Sequence, residues 1–410
     1  MFFLVAPLIQ LLGMKSEGSN LFPNFFPATT GGVVETNLVI LLFHLVFYSC
    51  YVYLKKTTFF KKQVKNNFNN DPLISLKVLT FSFLGIVILV LNYDYLILQI
   101  SESHWRVKKA MDISVSAMLI KKKVLFTLPL AGAVLAVYYL KLKRRVSTNT
   151  MIVFIALMVL VLTTLLLKNP LTEKRNAIGP LYIAMIFIFY PKLINTNAKM
   201  FVFLFLSLII AFPLISSLTH LDATFDDIIS NPGLLADHYR EEGIFDTFKI
   251  LHYDAFANIM ATIDYVSVYG LSFGYQLSSG LLFFIPRSIW VSKPYSTGEL
   301  IGGYLIDDYG FNYDNLSNPV VSEGYINLGI LGVILMAIAL GFVVVFFLKW
   351  LKSNDPLKKI AAFYFSVHLI FLLRGDFTNG FSYYVGTFIG MYILPLIIGF
   401  FVRAMFTKKI

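Results

Sequence analysis

Charged residues and cysteine are both scarce in this chain, and their scarcity excludes several classes of protein. Only 14% of the 410 residues are charged, whereas a soluble domain carries about a quarter. Such a chain cannot cover its surface with polar groups, which excludes a soluble enzyme. The single cysteine, Cys50, excludes a disulfide framework or a thiolate metal cluster. The sequence contains neither the zinc motif H-E-x-x-H nor a P-loop, and the apolar start Met1–Gly13 lacks the features of a cleavable signal peptide.

Long apolar stretches are abundant instead. Hydrophobic residues make up 57% of the chain, and about 20 consecutive apolar residues span a bilayer. We therefore predict an all-α polytopic integral membrane protein with 10 or 11 transmembrane helices in a single membrane domain, residues 1–410. Two marginal stretches are Phe2–Leu12 and Gly270–Ile285, of which the second is expected to be re-entrant or short. The nine other stretches are Val33–Leu54, Leu73–Leu91, Val124–Leu140, Met151–Leu167, Ile178–Ile194, Met200–Leu218, Tyr325–Leu348, Lys358–Leu373 and Phe381–Val402.

The positive charge is distributed unevenly between the turns. Lysine and arginine concentrate in turns after alternate spans, at 55–65, 141–145, 192–199, 349–359 and 403–409, which predicts that these turns are cytoplasmic. The net charge of +11 is therefore attributed to membrane orientation and not to nucleic acid, which we exclude as a partner. One turn on the opposite side, Asn92–Lys123, is also basic. Either the topology is wrong there, or its cations have a function outside.

The longest stretch between spans lies on the predicted outer side. Residues 219–322 form an expected extracytoplasmic loop, acidic in its first half and rich in Gly, Pro and Tyr in its second, with a re-entrant or short helix near 270–286. A loop of this length inside a compact protein is usually functional. Its acidic pairs Asp226-Asp227 and Asp307-Asp308 could hold a divalent metal, but solvated acids explain them more simply, and no metal or other cofactor is expected.

Ionisable residues at the ends of membrane helices are costly and are therefore candidates for function. Arg175 opens a span, Arg287 and Lys293 flank Trp290 between two prolines, and Arg374 ends a span. Arginine binds phosphate oxygens in pairs and keeps its charge, so the set best matches a lipid diphosphate bound without a metal. Glu323 stands where the long loop re-enters the membrane, and half-burial there would raise its pKa and suit it to proton transfer.

The histidines are weaker evidence for a functional site than the arginines. His44 and His368 lie inside spans and are interpreted as packing residues. The triplet His252-Tyr253-Asp254 could place an oriented base in the outer segment.

Three groups of residues resemble a known family. Phe284-Ile285-Pro286-Arg287-x-x-Trp290-x-x-Lys293-Pro294 lies in the second half of the long loop. Ser322-Glu323-Gly324-Tyr325-x-Asn327-Leu328-Gly329 opens a span, and Arg374-Gly375-Asp376-Phe377 closes one. Together they resemble the Wzy-type polymerases, which join oligosaccharide repeat units into O-antigens and capsular polysaccharides. Arg175 looks like an earlier outer-face arginine of that family.

The resemblance implies a metal-independent glycosyltransferase in the bacterial cytoplasmic (inner) membrane with an outward-facing active site. Donor and acceptor would both be undecaprenyl-diphosphate-linked oligosaccharides. Arg175, Arg287 and Arg374, together with Lys293, would bind the diphosphate, and Glu323 or His252 would take the acceptor proton. Trp290 and Tyr253 suit sugar stacking, and a chain-length regulator and a flippase would be partners.

Three other functions are compatible with parts of the pattern. A transporter or flippase of lipid-linked oligosaccharides would share the arginines, but the sequence shows no internal repeat. An O-antigen ligase would differ only in its acceptor. An enzyme that transfers single sugars from a polyprenyl phosphate usually has paired acids in its first outer loop, where this chain has the isolated Glu35.

Overall fold

The computed structural model describes most of the chain as helices arranged in two compact units. The described residues are 2–57, 72–101, 120–143, 145–169, 173, 175–207, 230–231, 233, 251–375 and 377–406. The first unit comprises 1–62, 242–349 and 368–382, and the second comprises 63–241, 350–367 and 383–410. The α-helices are α1 Val5–Glu17, α2 Thr30–Lys56, α3 Ile74–Leu91, α4 Tyr93–Ser101, α5 Leu128–Leu142, α6 Thr148–Leu167, α7 Arg175–Phe189, α8 Asn197–Leu206, α9 Ala255–Tyr269, α10 Tyr275–Leu281, α11 Thr297–Tyr309, α12 Val320–Leu351, α13 Pro356–Leu372, α14 Phe377–Phe388 and α15 Leu394–Phe406.

The predicted class, an all-α polytopic membrane protein, is confirmed. The described residues contain no β-sheet, only an isolated bridge between Leu21 and Pro27. Short 3-10 helices cover Leu125–Thr127, Pro191–Ile194 and Leu251–Tyr253, and a π-helix covers Ile389–Ile393. Six helices are long and apolar enough to cross a membrane: Thr30–Lys56, Ile74–Leu91, Ile120–Leu142, Thr148–Leu167, Val320–Leu351 and Gly380–Phe406.

The remaining predicted spans fall on shorter helices. Stretch Ile178–Ile194 corresponds to α7 and Lys358–Leu373 to α13, of 15 and 17 residues. Stretch Met200–Leu218 begins on α8, and its second half lies outside the described residues. The total of 10 or 11 membrane helices stays a prediction.

The first unit is built around α9. Its residues Ala255 to Ile263 are all buried, because the helix packs against α2 and α11. Alanines at 257 and 261 are fully buried and allow neighbouring helices to approach. Phe256 contributes to the same core. Segment 219–322, predicted to be an extracytoplasmic loop, contains α9, α10 and α11 where the structure describes it, and its extracytoplasmic position stays a prediction. Its acidic residues 222, 226, 227, 237, 241, 242 and 246 lie outside the described residues.

Helix α11 begins after a side-chain N-cap, Ser296. The Ser296 side chain accepts a hydrogen bond from the Glu299 backbone N–H at 3.3 Å, which satisfies one of the orphan donors of the first turn. The same turn is favourable for the Glu299 carboxylate, because the helix N-terminus is positive. This cap fixes where Thr297 stands in the first unit.

The second unit contains a bundle of α3, α5 and α6. Residues Leu128 to Val137 of α5 are all buried, as expected for a helix that is apolar on every side. A Cβ on Gly132 would lie 2.6 Å from the Cβ of Phe81 and 2.9 Å from Leu160. Glycine at 132 therefore allows three apolar helices to pack at close distance.

Candidate functional site

Arg374 is held by a segment 123 residues away in the chain. It follows α13, and its backbone N–H donates to the Phe371 carbonyl at 3.1 Å. Its Nη2 donates to the Leu251 carbonyl at 3.2 Å. Its Nε is buried and has no hydrogen-bond partner among the described residues. Arg374 is therefore a fixed cation with donor capacity left over.

Asp254, expected from the sequence only as part of the triplet His252-Tyr253-Asp254, lies beside Arg374. It is 1% exposed and precedes α9, where its carbonyl accepts from the Asn258 N–H at 2.9 Å. Burial raises the pKa of Asp254 from 3.8 to about 6, although the charge of Arg374 and a hydrogen bond from Asn258 act in the opposite direction. Its Oδ1 has no hydrogen-bond partner among the described residues. A buried acid of this pKa beside a cation is typical of functional sites.

His252 and Tyr253 belong to the same 3-10 helix, Leu251–Tyr253. The backbone of His252 therefore stands between the carbonyl that binds Arg374 and the acid Asp254, while its side chain lies outside what the structure describes. Tyr253 is 5% exposed, and its ring stacks on Phe2 with centroids 5.9 Å apart. Because its ring is covered by protein, Tyr253 is poorly placed to stack on a sugar.

Glu323 is fully buried, whereas its position at the start of a span predicted half-burial. Its Oε2 accepts from the Thr297 hydroxyl at 2.6 Å, and its Oε1 accepts from Asn327 Nδ2 at 3.2 Å. Both carboxylate oxygens are thus hydrogen-bonded inside the protein. In this arrangement Glu323 joins the starts of α11 and α12 and is not exposed to a solvent-borne acceptor.

Helix α12 is broken just after this carboxylate. Leu328 and Gly329 leave the helical conformation, and Gly329 has φ 59°, a value that glycine adopts without steric cost. The carbonyl of Ile326 accepts from the Ser272 backbone N–H at 2.9 Å. Asn327 Oδ1 accepts from the Leu277 N–H at 3.1 Å. Ser272, just before α10, and Leu277, in its first turn, thus hold the broken region by hydrogen bonds.

Arg287 lies on an exposed turn that closes on itself. Its Nη1 donates to the Lys293 carbonyl and its Nη2 donates to the Pro294 carbonyl at 3.2 Å. The guanidinium also lies over the Tyr295 ring, 4.3 Å from its centroid. The turn thereby orients Arg287, and its remaining N–H groups stay available for a ligand.

Lys293 closes the same turn from the other side. Its Nζ donates to the carbonyls of Leu282, Phe283 and Ile285 at 3.2, 3.1 and 2.9 Å. An ammonium has three donors, so all of them are used by the backbone that follows α10. Burial, and then the charge of Arg287, lower the pKa of Lys293. The lysine of the P-R-x-x-W-x-x-K-P string therefore acts here as a clamp for the turn.

Trp290 lies in this turn and is partly exposed. Its ring meets Tyr275 edge-on, with centroids 6.4 Å apart, and the Tyr275 hydroxyl donates to the Ser292 carbonyl. Trp290 therefore keeps an accessible part beside Arg287, which suits contact with a sugar or with an interfacial layer.

Arg175 begins α7 in the second unit, and its side chain lies outside what the structure describes. The predicted convergence of the three arginines on one face therefore stays a prediction. Asp376 and the pair Asp226-Asp227 also lie outside the described residues. Asp307 and Asp308 are exposed, and the described part of the chain has no group of three or more His, Cys, Asp or Glu that could hold a metal ion.

Comparison with protein families gives a match in the last quarter of the chain. Residues 309–409 match the family model of the O-antigen polysaccharide polymerase Wzy. The matched region includes the glutamate of the broken helix, Glu323, and the anchored arginine, Arg374. No curated protein and no solved structure gives a significant match. The family match supports the resemblance drawn from the motifs over residues 309–409, and the six long apolar helices support a membrane protein.

Proposed function

We propose that this chain is a glycosyltransferase that polymerises undecaprenyl-diphosphate-linked oligosaccharide repeat units on the outer face of the cytoplasmic membrane. The observation that carries the proposal is the anchoring of Arg374. This arginine lies in the region that matches the family, is bonded to the Leu251 carbonyl and stands beside the buried Asp254. A fixed cation with a free buried donor suits the negative charge that develops on a departing diphosphate.

The transfer forms one bond and breaks one. An acceptor hydroxyl oxygen bonds to the anomeric carbon of the donor, and the bond from that carbon to the diphosphate oxygen breaks. The bonding electrons leave with the diphosphate, whose charge Arg374 and Arg287 stabilise. Preorganised donors aimed at developing charge are usually the largest catalytic contribution. The arginines thereby supply the positive charge that a divalent metal supplies in other diphosphate-dependent enzymes.

The proton of the acceptor hydroxyl needs a base. We assign it to His252, because the backbone of this residue is fixed between Leu251 and Asp254, at the segment that anchors Arg374. Histidine is the commonest general base, since its pKa lies near the operating pH. Glu323, whose oxygens are both occupied, is assigned to positioning the broken helix.

The other predicted site residues take narrower roles in this proposal. Arg287 binds the diphosphate from the exposed turn, Lys293 holds that turn, and Trp290 contacts a sugar of the repeat unit. Arg175 is also proposed to bind diphosphate, as the resemblance implies. A flippase would deliver the repeat units and a chain-length regulator would limit the product, since the substrate must reach the outer face and the polymer must end.

Conservative replacement of the anchored arginine tests the proposal. Arg374→Lys keeps the charge but loses the planar group that binds two oxygens at once. The loss of one aimed donor costs about 10²–10³ in rate. Purified Arg374→Lys protein, supplied with lipid-linked repeat units, should therefore give single units or very short chains on a gel in place of a ladder.

The matched control is Arg145→Lys, because Arg145 is exposed and lies in a predicted cytoplasmic turn. Its ladder should equal that of the wild type, and blotting should show equal amounts of the three proteins in the membrane. A normal ladder from Arg374→Lys would refute the assignment of Arg374 to the diphosphate. A product in which one finished glycan moves to a different acceptor would instead indicate a ligase.

A further inference from the structure

Four tyrosines and one aspartate meet in the first unit, where α9 and α11 pack together. Asp264, Tyr265 and Tyr269 lie near the end of α9, and Tyr304 and Tyr309 lie near the end of α11. Asp264 Oδ2 accepts hydrogen bonds from the Tyr304 hydroxyl and, at 2.8 Å, from the Tyr309 hydroxyl. We call these five residues the tyrosine cluster. One carboxylate oxygen thus joins the two helices.

The other oxygen of this carboxylate is not used by the protein. Burial, and then the hydrogen bond to Asp264, raise the pKa of Tyr304, so its hydroxyl keeps its proton and donates. Asp264 Oδ1 makes no hydrogen bond to a described residue, and no described lysine or arginine pairs with Asp264. The side chain is only half-buried. The carboxylate is therefore oriented through Oδ2 and can accept through Oδ1 from a ligand.

The rings of the cluster are packed together, and one of them stays accessible. The Tyr265 centroid lies 4.8 Å from that of Tyr269 and 5.4 Å from that of Tyr304, and Tyr269 lies 5.9 Å from Tyr304. Phe26 supports Tyr309 at 4.9 Å. Rings at these separations are in direct contact, so no group fits between them. Tyr269 is nevertheless 60% exposed, and its ring is thus both held and open to a ligand.

Tyr304 connects this open ring to the carboxylate. Its hydroxyl bonds to Asp264, and its ring meets Tyr269 edge-on, with an interplanar angle of 87°. Helix α9 ends at Tyr269 and α11 ends at Tyr309, and the C-terminal end of a helix is negative. The charge of Asp308 also acts on Tyr309. The negative potential repels a phosphate and favours a ligand that donates hydrogen bonds.

We propose that the tyrosine cluster binds a sugar ring of the oligosaccharide repeat unit. A pyranose has an apolar C–H face that packs on an aromatic ring, and hydroxyl groups at its rim that donate to a carboxylate. Tyr269 supplies the ring, and Asp264 Oδ1 supplies the acceptor. The rings are too closely packed for the aromatic cage that encloses an ammonium group. The identity of the saccharide rests on the proposed function.

Binding of the free oligosaccharide tests the proposal. The probe is the repeat-unit oligosaccharide released from its lipid carrier by mild acid, which has neither lipid nor diphosphate. Full-length protein is held in lipid nanodiscs, because the sugar headgroups of maltoside detergents would compete for the site. A ligand-observed NMR titration up to millimolar concentration then gives the dissociation constant.

Two substitutions in the cluster should each weaken this binding. Tyr269→Ala removes the open ring and should raise the dissociation constant about tenfold. Asp264→Asn keeps an oxygen that accepts from both tyrosines and replaces the unused acceptor by an NH₂ group. It should also raise the dissociation constant about tenfold, the effect of one charge-assisted hydrogen bond.

The control is Tyr313→Ala, which removes an exposed tyrosine of the same unit outside the cluster and should leave binding unchanged. Equal affinities in all four proteins, or no binding of the oligosaccharide by the wild type, would overturn the sugar site. Choline is a second probe. Tyr269-dependent binding of choline without binding of the oligosaccharide would overturn the proposal in favour of a cation site.

Failure of this proposal can be separated from failure of the proposed function. The Arg374→Lys assay reads polymer length from intact lipid-linked units, whereas the titration reads binding of a ligand without diphosphate. Tyr269-dependent binding in a protein that forms no polymer would support the sugar site and overturn the polymerase. A normal ladder without Tyr269-dependent binding would overturn the sugar site alone.

Discussion

Replacement of Asp254 by asparagine should make the protein more stable at neutral pH and less active. Burial raises the pKa of this carboxyl group from 3.8 to about 6. The folded state thus holds the proton more tightly than the unfolded state, so the ionised carboxylate destabilises the fold. A shift of about two units at 1.36 kcal/mol each corresponds to about 3 kcal/mol. This cost is complete above about pH 6 and disappears as the pH falls toward 4.

Asparagine has the shape of the protonated acid and avoids this cost. Asp254→Asn should therefore raise the free energy of unfolding by up to about 3 kcal/mol at pH 7.5. At pH 5 the difference should shrink, because the wild type is by then protonated in its folded state. Polymer length should fall, since Arg374 loses its counter-charge, and a gain in stability with a loss of activity is the signature of a functional site.

The assay is unfolding in detergent at pH 7.5 and pH 5, beside gel analysis of the polymer. Asp307→Asn serves as the control, because Asp307 is an exposed aspartate in the first unit, and its effect should be small at both values. Equal destabilisation of Asp254→Asn at pH 7.5 and pH 5 would refute the reasoning. It would mean that the carboxylate of Asp254 is fully compensated in the folded protein.

Two further predictions concern the dependence of polymerisation on metal ions and the turn held by Lys293. Polymerisation should continue in EDTA, since arginines are proposed to stabilise the diphosphate; a complete loss that magnesium restores would move the interpretation to the acidic pairs. Lys293→Met should lower the free energy of unfolding by about 1 kcal/mol, because three carbonyls lose a donor, yet a ladder should remain at low temperature. Loss of the ladder without a change in unfolding would instead place Lys293 on the substrate.

The helical class and most spans could be predicted from hydropathy, because a bilayer requires long apolar helices. The start of α12 and the break within it could not be predicted in this way. The apolar stretch Tyr325–Leu348 predicts one helix, whereas the structure begins it at Val320 and breaks it at Leu328 and Gly329. The break depends on hydrogen bonds from Ser272 and Leu277, which lie some fifty residues earlier. Hydropathy contains no information on such pairings.

The candidate site was predictable as a set of residue types and not as a set of contacts. Arg374 was expected from its place at the end of a span, but its partner Leu251 is distant in the sequence. Asp254 was expected only as a neighbour of His252, because it is one of many acids in the segment, and only burial distinguishes it from them. Its sequence signal is an acid directly before an apolar helix, a pattern that an ordinary helix N-terminus also shows.

Lys293, Arg287 and Arg374 differ in the number of hydrogen-bond donors that remain free for a ligand. Lys293 uses its three donors on backbone carbonyls, whereas Arg287 uses two of its five donors and stays exposed. Arg374 combines a fixed position with a buried, unused Nε. A guanidinium can be anchored by some of its donors and still bind with the others, which an anchored ammonium cannot do. This difference supports the proposal that the arginines bind the diphosphate and that Lys293 holds the turn.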